Sequence, residues 1–392
     1  MATVGGTLMS IGIFFYMKFR FGWQMPQNFM LAAAQGIVYI PAALLAGPLV
    51  SRFGPWRSLG CIYVILALLT GGAAWIAASG KAGSALGVAG ALLAYTFVIG
   101  LSWPILEGLT ASRGSPAGIA RRLALYNVIW PAGGALAIAV EGTILKFWVA
   151  GLFLIPGAMH VLSLIIVLFQ HPAPADSAAA AHPHVEPEPE LLRKRKLALW
   201  LSRTALPATY TVIYGLMPMM PSLPVMQNLP TTKQTLVASV WLITRWLAFV
   251  LLALGSWWHT RPRALLWAAV VMLVAFFGMT LSPTHGASPR TDLISMVVWQ
   301  AVLGLAIGMI YSGSLYFGMV LSQGSTEHGG YHEALIGLGW AIGPAAGVGA
   351  QFVRPDRVSL GIEAVGAVIA ASVLVVLATA LIMSRTPAAQ TD

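Results

Sequence analysis

Residues Ala124–Val140 read ALYNVIWPAGGALAIAV, and residues Ala334–Ala350 read ALIGLGWAIGPAAGVGA. Set 210 positions apart with no gap, they align Ala124 with Ala334, Leu125 with Leu335, Trp130 with Trp340, Gly133 with Gly343 and Ala135 with Ala345. The same shift aligns Gly114 with Gly324 in the preceding loops. Both stretches are apolar and uncharged, so each suits a helix whose solvent is not water. The repeat raises the question of how many such segments surround each copy.

Composition answers in the same direction. Of 392 residues, 58% are hydrophobic and only 9% charged, with a mean hydropathy of +0.80. A soluble domain carries roughly 25% charged residues, so lipid must be the solvent for most of this surface. In lipid every backbone polar group bonds internally, which leaves helix bundles or closed barrels. A barrel needs alternating segments of about ten residues. The chain instead has unbroken apolar runs near the roughly twenty residues that span a bilayer as helix. The fold class is therefore all-α integral membrane.

Twelve spans are expected, at 3–18, 27–50, 58–79, 84–110, 121–144, 148–169, 197–219, 234–256, 264–282, 292–320, 332–353 and 360–384. The first is short before Lys18. The segment 170–196 breaks the pattern: an Ala/Pro/Glu stretch ends in Arg193-Lys194-Arg195-Lys196, and reads as a polar linker. It divides the chain into a six-helix half at 1–169 and another at 197–392. Arg and Lys cluster in one set of alternate loops (Arg52, Arg57, Arg113, Arg121, Arg122, the linker, Arg261, Arg263, Arg385). By the positive-inside tendency that set, with both termini, is cytoplasmic. The same tendency explains the net charge of +10, so no nucleic-acid partner is called for. The lone Cys61 excludes an internal disulfide and any multi-cysteine metal site.

Between the second and third spans the chain reads Gly47-Pro48-Leu49-Val50-Ser51-Arg52-Phe53-Gly54-Pro55-Trp56-Arg57. This resembles the signature of the major facilitator superfamily, in which glycine is followed by an acidic residue, arginine, glycine and further basic residues. Gly47, Arg52, Gly54 and Arg57 match it; Ser51 stands where the family usually has Asp. The resemblance implies two pseudo-symmetric six-helix bundles rocking about a central site. It also implies that this loop latches against the eleventh helix, through a charge network that Ser51 weakens. In such folds helices one, four, seven and ten line the cavity, with two, five, eight and eleven at its sides. Gly339, Gly343 and Pro344 resemble the glycine-proline motif of the family's antiporters, displaced to the repeat partner of its usual helix; generic close packing explains them as well. The helix-four arginine of many proton-coupled members has no counterpart in Ala94–Gly100. Proton coupling, sodium coupling and purely facilitated movement stay open.

Charges inside spans are expensive and mark function by default. Arg245, mid-way along the eighth span, suits either an anionic group of a substrate or a structural ion pair. Glu107 suits proton coupling or a gate ion pair with Arg113, Arg121 or Arg122. Glu141, near the outer end of the fifth span, reads as interfacial. Tyr126, Asn127, Trp130, Tyr214, Gln300 and Tyr311 join Arg245 and Glu107 as expected substrate-binding residues, since rings with polar handles suit an amphipathic solute. The expected cytoplasmic gate is Gly47, Ser51, Arg52, Gly54, Arg57, Arg113, Arg121, Arg122, Gly339, Gly343 and Pro344. The run Glu327-His328-Gly-Gly-Tyr331-His332-Glu333 shows no third ligand cluster by spacing and fits a cytoplasmic gate that opens and closes by hydrogen bonds better than a metal site, so no metal is expected, nor any cofactor. No phosphate loop, nucleophile elbow or catalytic carboxylate pair is found, which argues against an enzyme.

The expectation is a monomeric secondary transporter of a bacterial inner membrane that moves a small organic solute. Efflux of amphipathic, drug-like compounds and uptake of an organic anion both remain open. A non-transporting sensor or assembly scaffold is the reading from a different class.

Overall fold

The computed structural model describes residues 1–80, 83–111, 116–170, 189–281, 288–322, 325–354 and 357–385. Arg113, Lys81, the Gly114–Gly324 pair and residues 171–188 of the linker lie outside this set. Twelve long helices follow one another: α1 Ala2–Phe21, α2 Met25–Phe53, α3 Pro55–Ser79, α4 Ser84–Ala111, α5 Pro116–Phe147, α6 Gly151–Leu168, α7 Pro189–Met219, α8 Thr231–Ala253, α9 Arg263–Leu281, α10 Pro289–Leu321, α11 Thr326–Val353 and α12 Val358–Arg385. No strand occurs among the described residues. Eleven of the twelve are long and apolar enough to cross a membrane. The exception is α7, whose first turns carry Arg193-Lys194-Arg195-Lys196.

That helix corrects the expected linker, because it begins at Pro189 rather than near 197. Its charged start is still good helix sequence: Pro189 leads it, and Lys194 pairs with Glu190 one turn earlier at 2.6 Å, the favourable i,i+4 order. Elsewhere the ends carry the expected signals. Ser288 and Ser325 cap α10 and α11 by accepting from Thr291 N–H and Glu327 N–H. Gly22 and Gly80 end α1 and α3 with φ of +66° and +61°, a conformation only glycine adopts cheaply.

Helices α3 and α6 pack within the set α1–α6, and α9 and α12 within α7–α12, whereas α2 and α5 make their most extensive contacts across, with α11 and α8. The two sets meet along α2 with α11 and along α5 with α8, with α4 touching α11. Burial sorts the helices: 78% of the apolar window of α1 is buried, against 28% for α3 and α12. The first is therefore central and the latter two face lipid.

Glycine makes the α2–α11 seam possible. A Cβ on Gly36 would lie 2.6 Å from the Trp340 carbonyl carbon and 2.7 Å from Ala341 Cα, and one on Gly330 would lie 2.9 Å from the Ala43 carbonyl oxygen. Such backbone-to-backbone approach is what small residues permit in membranes. Gly339 and Gly343 instead face α7: their Cβ positions would collide with the Pro207 carbonyl and lie 2.8 Å from the Thr211 carbonyl. They pack within one six-helix set, beside the buried Pro344.

Candidate functional site

Between the two sets lies a cavity of about 90 Å³. α1 contributes Thr3 and Ser10, α2 Tyr39, α4 Trp103, α5 Tyr126 and Trp130, α7 Tyr210 and Tyr214, α8 Arg245, α10 Tyr311, and α11 Glu333 and Trp340. The walls are aromatic and ordered by ring contacts. Tyr214 stacks on Trp340 with centroids 3.8 Å apart and planes within 7°. Trp130 contacts Tyr311 at 5.4 Å and Phe249 at 6.0 Å.

Arg245 is the charged centre of this cavity. It is 4% exposed, and its guanidinium carbon lies 5.0 Å from the Trp130 ring and 5.1 Å from the Trp241 ring. Both distances are within cation–π range. No carboxylate pairs with it among the described residues. Its position is set from two sides. The Trp246 indole N–H donates to the Val128 carbonyl at 2.9 Å and fastens α8 to α5. Gly304 and Gly308 let α10 lie against the α8 backbone, where a Cβ on Gly308 would be 3.2 Å from the Arg245 carbonyl oxygen.

Of the eight residues expected to bind substrate, Arg245, Tyr126, Trp130, Tyr214 and Tyr311 line this cavity. Glu107 adjoins it, accepting from the Tyr311 hydroxyl at 3.5 Å. Asn127 does not line it. One residue on from Tyr126, it is turned about 100° away, and it lines a second cavity of about 260 Å³ with Arg121, Phe249 and His259. Gln300 lines neither; it is buried in α10 roughly 16 Å along the helix axis from Tyr311. Trp340, Trp103, Glu333 and Ser10 were missed by sequence. For Trp340 a signal existed, since it is the repeat partner of Trp130.

Among the described residues, Arg121 and Arg122 do not pair with Glu107. Arg122 Nε donates to the Thr110 carbonyl at 2.7 Å and so closes the end of α4, while Arg121 lines the 260 Å³ cavity. Glu107 instead meets α11. The Tyr39 hydroxyl donates to Glu333, Ser314 Oγ and His332 Nδ1 are hydrogen-bonded at 3.0 Å, and His332 Nε2 lies 4.0 Å from Glu107 Oε1. Glycines again permit this: a Cβ on Gly329 would be 3.1 Å from Glu107 Oε2, and one on Gly108 would collide with Thr326. The run Glu327–Glu333, which forms the first turns of α11, thus gains a further ligand in space from α4.

Glu141, read from the sequence as interfacial, is covered by protein. It is fully buried against Gly12 of the π-helical turn Leu8–Gly12, where a Cβ would lie 2.6 Å from its Oε2. The close approach of α1 to α5 covers a position that the sequence places at a helix end. At the α2–α3 loop, Ser51 Oγ donates to the Pro48 carbonyl of its own helix at 2.8 Å. Arg52 and Arg57 make no ion pair among the described residues. Gly54 turns the chain there with φ of +79°, and Gly47 faces Glu327 of α11.

A sequence profile described as Major Facilitator Superfamily matches residues 1–348. The chain belongs to the major facilitator superfamily. No curated protein matches this member. Among solved structures it is similar to the xylose transporter XylE from E. coli in a partially occluded inward-open conformation, with a TM-score of 0.69 at 14% identity over 96% of this chain and 95% of that one. It is also similar to a mutant of the nucleoside transporter NupG, with a TM-score of 0.67 at 13% identity over 97% of each chain. Similarity at this level concerns the fold. The family match makes the chain a membrane transporter and leaves its solute to its own residues.

Proposed function

We propose that this chain is a secondary transporter that carries a small organic anion, with the anionic group held by Arg245. The observation that carries the reading is a guanidinium buried at the seam of the two helix sets with no carboxylate partner among the described residues. Removing such a charge from water costs several kcal/mol even in real proteins. An anionic solute would supply the missing counter-charge, so binding offsets a cost already present in the fold. Trp130, Tyr126, Tyr214 and Tyr311 would pack on the solute's apolar part, and Glu107 would border the site. Asn127 and Gln300 are left out of this role.

The 90 Å³ around Arg245 suits a small anionic group, and an adjoining cavity of about 570 Å³ shares the Thr3, Trp103, Tyr126 and Trp130 walls and gives room for the rest of a solute. Alternating access would move 1–169 against 197–392, with α2–α11 and α5–α8 as the sliding seams. The gate would be formed by the ends of α2, α4, α5 and α11, where Gly47, Arg121 and Arg122 lie. The linker and both termini would be cytoplasmic in a bacterial inner membrane, as the Arg and Lys distribution suggests.

Flux into proteoliposomes tests this. Radiolabelled small carboxylates, sugars and nucleosides are offered to wild type and Arg245→Ala. Uptake of a carboxylate that fails in the variant supports the reading. Uptake of a neutral sugar or nucleoside that persists in Arg245→Ala refutes it.

A further inference from the structure

Glu107 belongs to α4 and His332 and Glu333 to α11, on opposite sides of the seam. One ligand atom from each lies within 4.8 Å of the other two. The three residues are 0%, 5% and 4% exposed. Two of their atoms, Glu107 Oε2 and His332 Nε2, have no hydrogen-bond partner among the described residues.

Each side chain is held from behind. Ser314 occupies His332 Nδ1 at 3.0 Å, which leaves Nε2 facing Glu107. Tyr39 donates to Glu333 Oε2, and Tyr311 to Glu107 Oε1. Metal sites are built this way: an outer hydrogen bond fixes the tautomer and aim of the imidazole, and others orient the carboxylates. Two carboxylates facing one another in a buried site also repel unless a cation or proton lies between them.

We propose that Glu107, His332 and Glu333 bind a divalent transition-metal ion of the zinc or manganese class across the seam. One imidazole nitrogen with two carboxylate oxygens is a donor set for such ions, whereas calcium and magnesium prefer oxygen alone. The two carboxylates balance the ion's charge. Bonds of about 2.0–2.2 Å place tetrahedral ligand atoms roughly 3.3–3.6 Å apart. The donors therefore close in by about 1 Å, within the reach of a glutamate side-chain rotation. A fourth position is left for water or solute.

The site is complete only while α4 touches α11, so a bound ion favours the conformation in which this end of the seam is closed. That consequence rests on the transporter reading; the binding itself does not.

The test uses the full-length protein in detergent, stripped with chelator and titrated with ZnCl₂, MnCl₂ or MgCl₂ while its melting temperature is followed. Zinc or manganese is expected to raise the melting temperature of wild type at micromolar concentration, and magnesium is not. Glu107→Gln and His332→Ala are expected to raise the required concentration at least tenfold, and Ser314→Ala several-fold. His182→Ala/His184→Ala, which removes the linker histidines, leaves it unchanged. Cobalt on wild type should give d–d absorption bands that His332→Ala loses, a readout that does not depend on how stable the variants are. No response of wild type to zinc or manganese overturns the proposal. So does a response undiminished in both Glu107→Gln and His332→Ala. Neither result bears on solute flux, which is measured separately.

Discussion

Gly36→Ala is a small change with a large predicted effect on which conformation the protein occupies. The new Cβ would sit 2.6–2.7 Å from backbone atoms of Trp340 and Ala341. Carbon atoms pack at about 3.5–4.0 Å, so α2 and α11 must part by about 1 Å. Backbone cannot turn aside as a flexible side chain can. Overpacking of this kind costs about 1–3 kcal/mol, and the cost falls only on states where the seam is closed. At 1.4 kcal/mol per factor of ten, the open population rises by about 5- to 150-fold. Cys61 is the single cysteine and is exposed, so Cys61→Ser gives a clean background. Ser10→Cys then places one thiol in the cavity lining. The rate of maleimide labelling of that thiol reports access to the cavity. Gly36→Ala is expected to accelerate it at least several-fold with the protein still monodisperse. An unchanged rate would refute the argument that this seam governs access.

Two further outcomes follow from single residues. Glu141 has both carboxyl oxygens buried without a hydrogen-bond partner among the described residues, and an unsatisfied buried group costs about 1–3 kcal/mol. Glu141→Met should therefore raise the melting temperature, and a fall would mean that the carboxyl has a stabilising partner. His259, in the loop turn Trp257–Thr260 and stacked on Tyr316 at 4.0 Å, is pushed down to about 4 from 6.5 by burial and then by Arg195. Between pH 4 and 6.5 the unfolded chain binds more protons there than the folded one, so the stability it contributes is present above 6.5 and is lost on acidification toward 4. His259→Gln should flatten the melting temperature between pH 6.5 and 4.5, and an identical slope in both proteins would remove His259 as the cause.

The membrane fold was legible because its signals are local. Apolar runs of span length, glycine and serine at helix ends, and the 210-residue repeat each need only a short window. The same holds for Arg245, whose cost in an apolar span marks it wherever the helix points. What the sequence hid depends on rotation and on partners far along the chain. Tyr126 and Trp130 line the cavity while Asn127, which accepts from the Trp130 indole N–H, does not, yet composition treats the three alike. The start of α7 was hidden by charge: Arg193–Lys196 read as linker, although helix continues through them once Glu190 pairs with Lys194. Glu107 and His332 are distant in sequence, and only the approach of α4 to α11 at Gly108 and Gly329 brings them together. The burial of Glu141 was hidden because its cover comes from α1, at the far end of the same six-helix half.

The central claim is that an anion is held at Arg245, and ligand-induced stabilisation of the purified protein tests it most directly. A ligand at 100 times its Kd stabilises the folded state by about 2.7 kcal/mol, well within reach of a melting measurement. Small carboxylates, phosphorylated compounds, sugars and nucleosides are compared on wild type, Arg245→Lys and Arg245→Ala. The account predicts that an anion raises the melting temperature of wild type, less so Arg245→Lys, and not Arg245→Ala. Stabilisation by a neutral solute that is equal in all three proteins would contradict it.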